Sequence, residues 1–293
     1  MGWDSGEAIA MKQSRGKKLA GFQGELGAFS QEAAAQLLGP RVVPCPLPRF
    51  ERVFQALAAS EVDYAVIPIE NTLAGSVHEN YDHLLHFDVR IVAETSVRIV
   101  HNLIALPGVR FRDLRQVYSH PVALNQCLAF FDRYPQIERV PFYDTAGSVK
   151  MLAERQPKDA AAIASSVAAS IYGAHILKRS IEDDRRNFTR FFLLARASAR
   201  WRHPETKRPW KTSLVFSTRN APGALFRALS AFALRDISLA KIESRPLRGK
   251  PWEYVVYLDL IGRDEEPRVQ NALKHLAELA DFLSVLGSYP SGA

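Results

Sequence analysis

The chain has 293 residues, 47% of them hydrophobic and 24% charged, and carries a formal net charge of +7. That length supports two or three structural units, and the composition is that of an ordinary globular protein rather than a disordered or membrane-embedded one. The basic residues are spread along the chain with a loose cluster over 196–211, and no helix-turn-helix, zinc finger or stacking platform accompanies them. The charge therefore points to an anionic small molecule in preference to nucleic acid.

Residues 1–17 are polar, mix acids with bases and have no apolar core, so they read as a disordered extension and not as a signal peptide or anchor. Met1-Gly2 opens like a myristoylation signal, but Gly6 stands where a hydroxyl residue is wanted. No apolar run is long enough to span a bilayer, which argues against a membrane role. Cys45 and Cys127 fit no metal or redox spacing, so reduced thiols in a cytoplasmic protein are expected.

A short strand over 19–22 breaks at Gly24 and Gly27, and Ser30 then caps a helix over 31–38. Strand, glycine turn and helix together bring backbone N–H groups up to an anion, although these glycines do not form a dinucleotide fingerprint. Phe50, Val53, Phe54, Leu57 and Ala58 repeat at helical spacing, and an apolar strand over 64–69 ends in Glu70-Asn71. Gly75-Ser76 and a helical pattern through Val77, Tyr81, Leu84 and Leu85 repeat the first layout. Residues 89–93 and 97–106 read as extended, as if one long strand passed between two lobes.

Ser119 is an N-cap candidate before Pro121, with Leu124, Cys127, Leu128 and Phe131 on the inner face of one helix. Gln126 lies off that stripe, either solvated or turned into a cleft. Asp144-Thr145-Ala146-Gly147 opens another helix; residues 160–164 form a small-residue strand, and Ser165 caps the helix that Gly173 ends.

The stretch Asn187-Phe188-Thr189-Arg190-Phe191 then places a hydroxyl beside a guanidinium just before an apolar strand. Arg190 offers a fork for a carboxylate and Thr189 a neutral donor; taken alone, the pentapeptide would favour the reading of a turn and a surface cation. Several strand ends thus present Ser, Asn, Thr or Gly at the carboxyl edge of apparently parallel strands, where open α/β sheets bind ligands. A small anion between two α/β lobes is the inference.

Charge, Pro204 and Pro209 mark a linker over 197–210. Beyond it the order strand, helix, strand, strand, helix, strand over 211–290 is the ferredoxin-like arrangement.

These residues resemble the prephenate dehydratase family, including its plant-type arogenate dehydratase relatives, over nearly the whole chain. The resemblance rests on Gly21-Phe22-Gln23-Gly24 with Gly27-Ala28-Phe29-Ser30, on Val66-Ile67-Pro68-Ile69-Glu70-Asn71 with Gly75-Ser76-Val77, and on Ser119-His120-Pro121 with Gln126-Cys127. It continues in Asp144-Thr145-Ala146-Gly147, in Ala161-Ala162-Ile163-Ala164 and in Asn187-Phe188-Thr189-Arg190-Phe191. Each motif alone is weak; in this order they are specific. The tail's Gly223-Ala224-Leu225 and Glu243-Ser244-Arg245-Pro246 look like the two halves of the phenylalanine site of that family's ACT domain.

The resemblance implies an α/β catalytic part of two lobes, like a periplasmic binding protein, over 18–196. One lobe would hold 18–100 with 181–196 and the other 101–180, followed by an α+β regulatory ACT domain. It implies a homodimer or homotetramer, no cofactor and no metal, L-phenylalanine as effector, and decarboxylating dehydration of prephenate to phenylpyruvate. Thr189 matches the catalytic threonine. By the same carry-over Arg190 and the helix starts near Ser30 and Ser119 would hold carboxylates. Asn71, Gln126, Asp144 and Thr145 would orient the ring, with Asn187 and Phe191 completing the substrate site. Asn220, Gly223, Ala224, Leu225, Glu243, Ser244, Arg245 and Pro246 would take phenylalanine. Two alternatives stay open: arogenate as substrate, and a non-catalytic amino-acid sensor on the same two-lobed fold.

Overall fold

The computed structural model describes residues 17–203, 205–247 and 253–292; the extension expected over 1–17 lies outside them but for Lys17. Strand β1 (Leu19–Gln23) runs into helix α1 (Phe29–Leu38), and β2 (Val43–Leu47) leads to α2 (Phe50–Ala58). In α2 the buried Val53, Phe54, Ala56 and Leu57 sit at helical spacing on one face. Strand β3 (Tyr64–Asn71) is apolar up to its polar end at Glu70 and Asn71, pairs with the two-residue β4 (Gly75–Ser76), and is followed by α3 (His78–His86). β5 (Val89–Arg98) and β11 (Phe188–Arg196) complete this first sheet, whose order is β2-β1-β3-β11-β5 with β4 beside β3.

The second sheet is built from β6 (Asn102–Ala105), β7 (Gln116–Ser119), β8 (Glu138–Pro141), β9 (Ala160–Ala164) and β10 (His175–Lys178), in the order β10-β6-β9-β7-β8. Its helices are α4 (Pro121–Asn125), α5 (Leu128–Arg133), α6 (Thr145–Arg155) and α7 (Ser166–Ile171). All five residues of β9 are buried, and its alanines let α6 approach closely. The expectation of parallel strands holds for β1 with β2 and β3, and for β7 with β8 and β9; β6 and β10 are antiparallel to their neighbours.

The third sheet is formed by β12 (Trp210–Ser217), β13 (Leu239–Pro246), β14 (Tyr254–Ile261) and β15 (Phe282–Pro290), with helix α8 (Ala224–Ala233) between β12 and β13 in the chain and α9 (Pro267–Leu279) between β14 and β15. Its order β13-β14-β12-β15 is ferredoxin-like, with a core around Leu214, Phe216, Phe232, Leu258 and Leu276. Contacts divide the chain into two units. One runs to Phe87 and resumes over Thr95–Leu193, and the other joins Asp88–Glu94 to Leu194–Ala293. Among the described residues no helix is long and apolar enough to cross a membrane.

Three local expectations need correcting. The long strand expected across 89–106 is two strands of different sheets. Between them the backbone N–H groups of Ile99 and His101 go to Asn187 O at 2.8 Å and Glu182 Oε2 at 3.0 Å instead of to a ladder. The helix expected through Phe131 breaks at Gln126-Cys127, because the Asp183 carboxylate takes the N–H groups of Leu128 (2.7 Å) and Ala129 (3.0 Å) and so starts a new helix there. Ser30 is not a cap. Helix α1 begins at Phe29 after Ala28, and Gln31 Oε1 reaches back to accept from Gly27 N–H at 2.7 Å.

In the first unit Gly27 has a φ of +89°, and a Cβ there would stand 2.6 Å from Ala168 Cα. Ser165 Oγ donates to Gly27 O at 2.6 Å, so backbone meets backbone at this point. Gly27→Ala should therefore cost about 1–3 kcal/mol from backbone strain and a comparable amount from overpacking, seen as a lower urea midpoint for the transition of this unit.

Candidate functional site

A cavity of about 410 Å³ lies in the first unit between the strand ends of its two sheets, lined by Gln23, Phe29 and Ser30 on one wall and His120, Val122, Gln126 and Asp144 on the other. Asn71, Ile99, His101, Thr189 and Phe191 also border it. It sits where two segments cross between the sheets, and these brace each other: Ile99 N–H donates to Asn187 O at 2.8 Å and Ile181 N–H to His101 O at 2.9 Å. Arg98 and the His101 backbone N–H both spend themselves on the buried Glu182 carboxylate, at 3.1 and 3.0 Å.

A chain of amides runs across this floor. Asn71 Oδ1 accepts from the backbone N–H groups of Leu73 (3.0 Å) and Ala74 (2.8 Å), which fixes which end of its amide is oxygen. Its Nδ2 therefore donates to Asn187 Oδ1 at 2.7 Å and lies 3.0 Å from Thr189 Oγ1. Asn187, fully buried, passes the polarity on, with Nδ2 donating to Gln126 Oε1 at 2.8 Å. Two donors are left over. Thr189, accepting from Asn71, keeps its own O–H to give, and Gln126 keeps its NH₂ group.

The other expected residues fall differently. Ser30 and Thr145 line the cavity in the first turns of α1 and α6. Asp144 caps α6, its Oδ1 accepting from Gly147 N–H at 2.6 Å, while burial pushes its carboxyl above the ordinary range against the pull of the Gly147, Ala146 and Glu25 amides. Ser119 does not reach the cavity. It is wholly buried and donates to Ile163 O at 2.7 Å, and the N-cap is His120, whose Nδ1 accepts from Val122 N–H at 3.2 Å. Arg190 is not beside Thr189 in space. Successive residues of a strand face opposite ways, so Thr189 and Phe191 face the cavity while Phe188 and Arg190 line a separate recess of about 270 Å³. There Arg190 meets Glu70 Oε1 at 3.0 Å and stacks over Phe192, its carbon 4.8 Å from the ring centre.

Among the described residues the cavity wall has no Lys or Arg; Arg49 lines an adjoining recess that shares Gln23, Val77, His120, Asp144 and Thr145. Among the described residues no group of three or more His, Cys, Asp or Glu is arranged to hold a metal. His101 escaped the sequence reading. It is a polar residue between two apolar runs, a pattern that loops and cores share.

In the second unit the loop after β12 and the end of β13 meet at one end of the sheet. Register puts Ser217, Val255 and Arg245 in a row across β12, β14 and β13, two strand spacings or about 10 Å in all. Gly223, with a φ of +74°, is the N-cap of α8; Ala224 opens the helix and Leu225 is exposed. Asn220 is exposed in the preceding turn. Along β13 Glu243 and Arg245 are half-buried, and Ser244 and Pro246 alternate with them on the exposed face.

Comparison with known proteins gives a consistent result. A prephenate dehydratase profile matches residues 20–199 and an ACT domain profile matches residues 212–278. Arogenate dehydratase/prephenate dehydratase 2, chloroplastic, of Arabidopsis thaliana is 46% identical, over 92% of this chain and 72% of its own. The structure of a prephenate dehydratase in complex with L-Phe from Arthrobacter aurescens superposes with a TM-score of 0.85 at 31% identity, covering 94% of this chain and 90% of that one. GqqA, described as a novel type of quorum quenching acylase, has the same score and identity, covering 94% and 98%.

The position of Arg190 gives a test that separates scaffold from ligand contact. Arg190→Ala should lower stability by about 1–3 kcal/mol in chemical denaturation, the half-buried Glu70 carboxylate losing its partner. A Glu70→Ala, Arg190→Ala double-mutant cycle should show the two losses to be non-additive.

Proposed function

The chain belongs to the prephenate dehydratase family of lyases and carries its ACT domain, and from that premise we propose that it converts prephenate to phenylpyruvate under the control of L-phenylalanine. On this reading residues 18–196 are catalytic, 197–210 a linker and 211–290 regulatory, and the enzyme works in the cytoplasm as a homodimer or homotetramer. The observation that carries the chemistry is the 3.0 Å contact from Asn71 Nδ2 to Thr189 Oγ1, which leaves the Thr189 proton for the cleft.

Prephenate carries two carboxylates and a ring hydroxyl. As the ring carboxylate leaves as carbon dioxide, its electron pair enters the ring, the opposite C–O bond breaks and the departing hydroxide takes up a proton to become water. Aromatisation drives the step; the obstacle is the poor leaving group. A donor on the departing oxygen is therefore the useful catalyst, and help of this kind contributes about 10²–10⁴-fold. Thr189 gives that hydrogen bond. Its hydroxyl is too weak an acid to transfer a proton unaided, so it stabilises developing charge and relays a proton. Ser30 and the N-terminus of the ten-residue α1 hold a carboxylate, while Gln126 orients the substrate and Phe191 packs against the ring.

Prephenate is preferred to arogenate because the free polar atoms fixed by the amide chain are donors. A keto oxygen accepts from such a group, whereas an ammonium needs acceptors, and the Asp144 carboxylate is already held by backbone amides. For the effector, the loop at Asn220 and Gly223-Ala224-Leu225 would take a carboxylate, and Glu243 to Pro246 would close the site. Control then requires phenylalanine to bind one arrangement of the oligomer better than another.

Parallel kinetics on the two substrates, followed by phenylpyruvate absorbance and by phenylalanine formation, should give the higher kcat/KM with prephenate. Thr189→Val should keep the fold and KM while kcat falls by about 10²–10⁴; wild-type turnover in that variant would remove Thr189 from the mechanism. Calorimetry should detect L-phenylalanine at millimolar levels or below, and silence there would end the regulatory reading.

A further inference from the structure

The amide chain has one more member, and its state is set by the others. The His101 ring borders the cavity yet is only 2% exposed, with Phe29 edge-on at 6.1 Å between ring centres. Its Nε2 lies 2.9 Å from Gln126 Oε1, and its buried Nδ1 has no partner among the described residues. Gln126 cannot present nitrogen at that point, because the same atom accepts from Asn187 Nδ2 at 2.8 Å. Asn187 cannot be reversed while its Oδ1 accepts from Asn71, and Asn71 is pinned by two backbone N–H groups. The ring nitrogen facing Gln126 must therefore carry hydrogen.

We propose that His101, held as the tautomer protonated at Nε2, is a positioning residue that locks the Gln126 amide with its NH₂ group turned to the cleft. The proposal rests on the reading of that cleft as the substrate site. Two donors converge on one Gln126 oxygen, and without the second the glutamine has a single tether on a short break between helices. Among the described residues the charged group that acts on the ring is Glu182, which already accepts from Arg98 and from the His101 backbone. Gln126, which the ring hydrogen-bonds, and Phe29, which it meets edge-on, are uncharged. Burial outweighs both the hydrogen bond to Gln126 and the attraction of Glu182 and pushes the imidazole below its ordinary value, which favours the neutral ring.

Nitrogen-15 spectra of the histidine-labelled full chain, with His101 assigned by through-bond correlation to its backbone, test this without reference to activity. Expected is a protonated Nε2 and a bare Nδ1 that persist to a pH below about 6.5, the ordinary histidine value. The opposite tautomer, or titration at the ordinary value, overturns the proposal. In the kinetic arm, His101→Gln keeps a donor near the same place and His101→Phe keeps the shape without it. With both folded, the Phe variant should lose about 10–100-fold in kcat and the Gln variant only a few-fold. In a Gln126→Ala background His101→Phe should cost little more. Equal losses in the two variants, or full additivity, would reduce His101 to packing. If the wild type forms no phenylpyruvate, the proposed reaction fails while the spectra still decide the tautomer.

Discussion

Two backbone N–H groups aimed at one side-chain oxygen set the polarity of the whole site. Asn71 ends β3, and the tight turn into β4 folds the amides of Leu73 and Ala74 back onto its Oδ1. Asparagine suits such a turn because its side chain mimics the backbone it caps. Once that oxygen is committed, the amide's other end can only donate, and the constraint travels through Asn187 to Gln126 and sideways to Thr189. An aspartate at 71 would offer the same turn and the wrong sign to everything downstream. On the proposed reading, fixed orientation of this kind makes a weak donor useful, since nothing has to reorganise when charge develops on the leaving oxygen.

On the proposed reading, neutral donors rather than cations do this work. The chain is basic overall, yet among the described residues no Lys or Arg lines the cavity. The nearby Arg190 is engaged with Glu70 on the far side of its strand. On that proposed reading, net charge serves the approach of an anion from solution, while selection inside rests on hydrogen-bond direction. A permanent cation beside the departing hydroxide would also attract the carboxylate of the starting state, and equal attraction at both points would not speed the reaction.

Much of the fold was legible because it is local. Periodicity placed α2, turn residues placed the ends of β1 and β3, and the ferredoxin-like order of the tail could be read from alternating strand and helix patterns. The residues that converge on the cleft, Asn71, Gln126, Asn187 and Thr189, were recognisable by their motifs. What stayed hidden depended on distant partners. Asp183 breaks a helix by capping residues some 55 positions earlier, and Glu182 draws the backbone out of a strand at His101. The placement of Arg190 was available and overlooked, because a strand over 188–196 already sends neighbours to opposite faces.

Gly27 touching Ala168 has a further meaning for the geometry of catalysis. Main-chain atoms there leave less clearance than a methyl group needs, so the two walls of the cleft meet at a rigid abutment. Such a bumper sets a lower limit on how near the walls can come, independent of what lies between them. The closest approach of the threonine hydroxyl to the facing wall is then limited by main-chain van der Waals contact in the scaffold, whatever the strength of a ligand's grip.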